Sequence, residues 1–187
     1  MTESKPRLDH LAIAFEDLDW AVEALMKMGF RKKWHRDRIG DEKSAMKTTV
    51  LEWGSVNFAM MQGIDDQITS QITEYSKRYG SGILQHIAIE VENLDETIRE
   101  LKAKGFRFLT PILLAEDQRG KLIQAFTYPL CPGGKFFFEL NQRIQLEEGD
   151  TIAKTFADEN VKGLWHCVAK AIEEGWLFKV NIFGEMP

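Results

Sequence analysis

His10 and His86 hold the same place in two copies of one sequence phrase, and this internal repeat restricts the chain to a fold built from two like halves. The first copy, LDHLAIAFEDLDWAVEALMKMGF, runs from Leu8 to Phe30. The second, LQHIAIEVENLDETIRELKAKGF, runs from Leu84 to Phe106 at a constant spacing of 76 positions (84 − 8). Ten of the paired positions are identical, including both histidines and both Gly-Phe endings. The match resumes where GSVNFAMMQ (Gly54 to Gln62) pairs with GKFFFELNQ (Gly134 to Gln142), now 80 positions apart (134 − 54). A duplicated module sets equivalent positions of its halves facing each other about a pseudo-twofold axis. In the second copy Glu139 stands where the first has Ala59.

Each copy has the same local grammar. Leu8 to Phe15 is a short β-rich run, and Leu18, Val22, Leu25 and Met26 then fall at helical spacing. Asp17 is suited to cap the helix start, and Gly29 to end it in the left-handed conformation. The second copy repeats this with Asn93, Leu94, Ile98, Leu101 and Gly105. Three strand-like segments follow each helix. In the first module they are the stretch from Phe30 through Trp34, then Lys47–Trp53 and Ser55–Gln62. In the second they are Arg107–Leu113, Leu122–Tyr128 and Lys135–Gln142. The chain therefore reads as α+β, two tandem β-α-β-β-β modules in one domain of residues 1–187. Module one spans about 6–63, a linker 64–81, module two 82–143, and a C-terminal helical lid 150–187. A helix is predicted within the linker from Gln67 to Arg78, stopped by Gly80. The tail has no counterpart in module one, and its Val161, Leu164, Trp165, Val168 and Ile172 form an apolar stripe closed by Gly175.

Composition narrows the function. A net charge of −5 and no basic cluster beyond Arg31–Lys33 argue against nucleic acid and anionic membrane surfaces as partners. No run approaches the roughly 20 apolar residues of a membrane span, and the opening residues carry no apolar leader, so a cytoplasmic protein is expected. Cys131 and Cys167 lie in no metal or redox spacing and are read as reduced thiols.

Three residues carry the chemistry. Strand alternation puts His10 on one face with Ala12 and Ala14, and His86 with Ala88, so small neighbours leave room around each imidazole. Glu139 sits between Phe138 and Leu140, where a carboxylate is costly to bury without a compensating charge. A divalent cation supplies that charge. Two histidines and one carboxylate leave open positions on the metal, the donor set of non-haem Fe(II) oxygenases. A symmetric four-ligand site would need a carboxylate at Ala59. A strand histidine taken singly is more often a packed residue than a ligand. His35 and His166 have no matched partner and are read that way, as an exposed loop residue and a helix packing residue.

GSGILQHIAIEV (Gly80 to Val91), GKLIQAFTYP (Gly120 to Pro129) and FFFELNQR (Phe136 to Arg143) carry a further resemblance. The chain is similar to the vicinal oxygen chelate superfamily, and module two resembles the catalytic part of the 4-hydroxyphenylpyruvate dioxygenase family. The likeness extends more weakly through module one and to FADENVKGLW on the tail. It implies an open β-barrel around a metal, with His10, His86 and Glu139 as ligands of Fe(II). It also implies catalytic amides at Gln85 and Gln124, a ring-stacking Phe126, and a substrate-side hydroxyl at Thr48. The chain departs from the family on the last helix, where Val161 follows Asn160 in place of a second stacking phenylalanine, so that Phe156 or Trp165 would have to supply that wall. It is also too short for the additional barrel that precedes the catalytic one in the family's usual enzymes.

The activity so implied is oxidative decarboxylation of a 2-oxo acid by dioxygen, coupled to hydroxylation. 4-Hydroxyphenylpyruvate or a related aryl or alkyl pyruvate is the expected substrate, and homogentisate-type and mandelate-type products stay open. The competing readings are a glyoxalase-type isomerase or lyase with a redox-inert metal, a ring-cleaving catechol dioxygenase, and a metal-free small-molecule-binding protein. Barrels of this kind often pair, so a homodimer is an expected assembly.

Overall fold

The computed structural model describes residues 6–131, 133, 135–149 and 152–184. The expectations attached to the first five residues, to Gly134 and to Asp150 lie outside them. The first module forms β1 (Arg7–Phe15), α1 (Leu18–Met28), β2 (Arg31–Gly40), β3 (Ser44–Trp53) and β4 (Val56–Asp65). The second repeats it as β5 (Ile83–Glu90), α3 (Leu94–Ala103), β6 (Leu113–Asp117), β7 (Gly120–Phe126) and β8 (Phe137–Gln145). Helix α2 (Gln71–Tyr79) lies between the modules and α4 (Asp158–Glu173) follows them. The α+β class and the repeated β-α-β-β-β unit are as the sequence predicts. The strands join in the order β2-β3-β4-β1-β5-β8-β7-β6, which gives the same module pattern from either end. Two compact units share the chain: His10–His86 is one, and Ile87 onward with the residues before His10 is the other.

In the unit His10–His86, α1 begins where Asp17 accepts a hydrogen bond from the Trp20 N–H, and ends at Gly29 with φ of 111°. Its apolar stripe of Leu18, Ala21 and Val22 packs on Phe30, Leu51 and Met60. Leu18 is fully buried, and Leu18→Ala would cost about 2–5 kcal/mol. Strand β2, the segment with the weakest pattern, extends to Gly40 because it is an edge strand with most of its residues exposed. Charged side chains are tolerated there and discourage further pairing. His35 lies in this strand rather than in a loop. Its ring nitrogens meet the Thr49 hydroxyl at 2.8 Å and the Asp37 carboxylate at 3.0 Å. Helix α2 starts at Gln71, four residues later than the predicted Gln67, because Ser70 caps it by accepting from the Ile72 N–H.

In the other unit, Asn93 caps α3 by accepting from the Glu96 N–H. Leu94, Ile98, Ala125 and Leu140 form its core with Val91. The predicted strand Arg107–Leu113 is corrected: Phe108 makes only an isolated bridge to Thr127, and the strand proper runs Leu113–Asp117. Pro111 has no N–H to give a ladder, so pairing resumes beyond it. Helix α4 buries Leu164, Trp165 and Val168. Leu164, Val168 and Ala171 pack against Phe126 and Phe137. His166 on this helix is exposed, not a packing residue. No helix among the described residues is long and apolar enough to cross a membrane.

One matched pair was not foreseen. The Gln62 side-chain carbonyl accepts from the Leu18 N–H at 2.9 Å, and that of Gln142 from the Leu94 N–H at 3.0 Å. The identical residue closing each copy thus satisfies the first turn of its own module's helix.

Asp117 holds the turn that ends β6. Its carboxylate accepts the Arg119 N–H at 2.8 Å and the Ile152 N–H at 3.1 Å. These backbone donors, Arg119 first, hold the carboxyl below its ordinary value of 3.8. A carboxyl lowered in the folded state adds stability above that ordinary value and loses it as pH falls through the lowered one. Asp117→Ala is therefore expected to lose amide protection at Arg119 and Ile152 in hydrogen exchange at neutral pH, while the wild type loses it only in acid. Equal protection in the two proteins would show that the turn does not need the carboxylate.

Candidate metal centre

His10 projects from β1 on the face of Ala12 and Ala14, both 0% exposed. The parallel register with β4 sets Ala12 beside Ala59, and the β3–β4 register sets Val50 opposite Ala59 and Thr48 opposite Met61. Thr48 therefore shares the histidine face. It is buried. No carboxylate stands at position 59 to compete for the space in front of His10.

His10 and His86 are buried, and their Nε2 atoms lie 3.4 Å apart. The rings meet edge to face at 76°. The Nδ1 of His86 is 3.1 Å from the side-chain carbonyl oxygen of Gln85. An amide oxygen only accepts, so that bond puts the proton on Nδ1 and leaves the Nε2 lone pair pointing at His10. Two bonds of about 2.1 Å from imidazole nitrogens to one ion span up to about 4.2 Å, so a 3.4 Å separation suits a shared cation.

Glu139 projects from β8 on the face of Phe137 and Asn141 and is 2% exposed. Gln124, on β7, donates its Nε2–H to Glu139 Oε1 at 2.6 Å. Asn141 donates to the same oxygen at 2.9 Å. Asn141 also donates to Asp9 Oδ2 at 2.6 Å, and Asp9 pairs with Arg143 at 2.7 Å. His10 and His86 belong to one unit and Glu139 to the other, and each is a buried potential ligand. Two neutral imidazole nitrogens and a dehydrated carboxylate are a donor set that a divalent cation satisfies, so these residues fit the metal that the sequence implied.

Around Glu139 the other expected residues fall as follows. Phe126 lies directly opposite Glu139 in the β7–β8 register and is buried beside Leu164 and Val168 of α4. Trp165 and Asn160 are buried too, and the Asn160 amide donates to the Leu122 carbonyl at 3.1 Å. Val161 is half-buried on the same helix. Phe156, half-buried, lies 5.7 Å beneath the Arg143 guanidinium. Both glutamines named from the sequence hydrogen-bond the expected ligands, Gln85 with His86 and Gln124 with Glu139. Sequence reasoning missed Asn141, Asp9 and Arg143. An arginine two strand positions past a buried amide was the available signal, because a buried guanidinium needs a carboxylate.

The fold is a two-module one, and its donor set could hold a metal ion. A profile of the glyoxalase/bleomycin resistance protein/dioxygenase superfamily matches residues 9–120. The chain belongs to that superfamily. It is 25% identical over 160 residues to 4-hydroxyphenylpyruvate dioxygenase of Xenopus tropicalis, covering 67% of this chain and 40% of that protein. It is 26% identical over 179 residues to the enzyme of that name from Yarrowia lipolytica, covering 76% and 43%. The chain thus spans less than half the length of these curated relatives. A 4-hydroxymandelate synthase variant from Streptomyces coelicolor superposes with a TM-score of 0.77 at 21% identity, over 91% of this chain and 56% of that one. A methylmalonyl-CoA epimerase superposes at 0.54 and 19% identity, over 78% of this chain and all of its own. These two likenesses are of fold.

Glu139→Ala and His10→Ala are each expected to weaken Fe(II) or Co(II) retention at least tenfold relative to wild type, by metal analysis after dialysis. His35→Ala and His166→Ala should retain metal as wild type does. Equal retention in all four variants would remove Glu139 and His10 from a metal site.

Proposed function

We propose that this chain holds Fe(II) through His10, His86 and Glu139 and oxidises a 2-oxo acid with dioxygen, 4-hydroxyphenylpyruvate or a related aryl or alkyl pyruvate being the substrate. The observation that carries the reading is the set of two histidines and one glutamate with alanine at position 59. A three-residue set leaves room on the ion for both oxygens of a 2-oxo acid and for dioxygen. The relatives' printed names support the substrate class.

Fe(II), when bound, supplies the electrons that activate dioxygen beside a chelated keto acid. The protein's own residues prepare that place. Gln85 holds His86 in the tautomer whose Nε2 can ligate, and Gln124 orients the Glu139 carboxylate. Ala12, Ala14 and Ala59 leave volume on the histidine face, where Thr48 offers a hydroxyl to a substrate oxygen. Phe126 and Phe137 with Leu164 and Val168 of α4 form an apolar wall on the Glu139 face. Such a wall excludes water from a reactive oxidant. In this reading α4 acts as the lid, with Phe126, Phe156, Asn160, Val161 and Trp165 as the substrate-side set. One oxygen atom ends in the new carboxylate and the other in the new hydroxyl, and the original carboxylate leaves as carbon dioxide.

The test is anaerobic loading with Fe(II), addition of 2-oxo acids of aryl and alkyl type, and admission of oxygen. Expected are equal consumption of oxygen and 2-oxo acid and a product one carbon lighter with the same number of oxygen atoms. Metal-dependent turnover without oxygen uptake would replace this reading with an isomerase or lyase. Ligand binding in metal-free protein without turnover would replace it with a binding protein.

A further inference from the structure

Asn141 follows Glu139 by two positions on β8, shares its face, and is 0% exposed. Its Nδ2 donates to two carboxylate oxygens, Glu139 Oε1 at 2.9 Å and Asp9 Oδ2 at 2.6 Å. Both partners are acceptors, so the amide's orientation is dictated. Turned over, it would press a carbonyl oxygen against two anions. The correct orientation leaves Oδ1 buried with no hydrogen-bond partner. An apolar side chain of similar volume would carry no such unmet acceptor. The residue is therefore explained by its two N–H groups and by what they hold.

On one side they hold Oε1 of Glu139, which also accepts from Gln124 at 2.6 Å. A carboxylate oxygen has two lone-pair sites, and both are taken by amide hydrogens. An ion binding Glu139 is thereby directed to Oε2. On the other side Asn141 is tied to Asp9, which accepts from Arg143 Nη2 at 2.7 Å and Nε at 3.1 Å in a pair 11% and 13% exposed. Arg143 also donates from Nη1 to the carbonyls of Ala153 and Thr155 at 3.0 and 2.7 Å, just ahead of α4. The glutamate's orientation is thus braced by an amide that is itself braced by a half-buried ion pair.

We propose that Asn141 is a positioning residue for Glu139, keeping it a one-oxygen ligand so that the metal retains a coordination position for the substrate. The proposal rests on the reading of His10, His86 and Glu139 as a metal site. Without the Asn141 donor, Oε1 regains a lone pair, and Glu139 can turn and take the ion with both oxygens.

Co(II), whose visible absorption reports its coordination number, is the probe. Wild type and Asn141→Leu are titrated with Co(II), then with phenylpyruvate under nitrogen. Wild type should bind one equivalent and change its spectrum on adding the 2-oxo acid. The variant should show a different starting Co(II) spectrum and respond less to phenylpyruvate than wild type does. Leu140→Ala, on the opposite strand face, should melt at lower temperature and keep the wild-type Co(II) spectrum. If Asn141→Leu does not fold, Asn141→Ser reads the same spectra with a smaller change in volume. A wild-type spectrum and response to phenylpyruvate in the Asn141 variant would overturn the proposal and leave the metal site standing. A Leu140→Ala spectrum shifted in the same way would also overturn it, by reducing the effect to general loosening. No Co(II) binding by wild type would instead overturn the metal reading beneath it.

Discussion

The cost of taking the Glu139 carboxylate out of water is the constraint around which the second unit is arranged. A buried anion in an apolar strand is tolerated only if its charge and its lone pairs are both answered. Two side-chain amides answer the lone pairs of one oxygen, from Gln124 and Asn141. Neutral amides cannot answer the charge. The two imidazole nitrogens 3.4 Å apart are themselves electron-rich and cannot do so unless protonated. A divalent cation would answer that charge, which is the chemical argument for the proposed reading of these residues as ligands.

The repeat explains both what is symmetric in this chain and what is not. Features that serve the backbone are kept in both copies: the side-chain cap at Asp17 and Asn93, and the glutamine of each last strand that satisfies the first turn of its own module's helix. Features that serve the site are unequal. Each copy supplies a histidine, but only the second supplies a carboxylate and the amides around it, while the first keeps Ala59 in the matching place. Added helix α4 belongs to the same inequality, since it covers the strand face from which Glu139 emerges, whereas β4 is followed by the shorter α2.

Much of this was legible in the sequence because repetition makes weak local signals count twice. The helices α1 and α3 were bounded by their caps, and the candidate histidines were marked by their identical setting. The edge strands were the least legible. Their partners lie on one side only, so they need little apolar pattern: β2 runs on through charged residues, and β6 starts beyond Pro111 instead of before it. Gln85 and Gln124 were found by resemblance, but their grip on His86 and Glu139 is a matter of side-chain geometry that strand alternation cannot give. The Asp9 to Arg143 pair joins residues 134 positions apart in the chain, and no local pattern announces it.

The metal itself is the point on which the account turns, and X-ray absorption at the iron edge of Fe(II)-loaded protein addresses it directly. The account predicts a first shell of nitrogen and oxygen only, with outer-shell scattering from two imidazoles that loses one imidazole in His10→Ala. A spectrum with no imidazole scattering, or one that His10→Ala leaves unchanged, would contradict it.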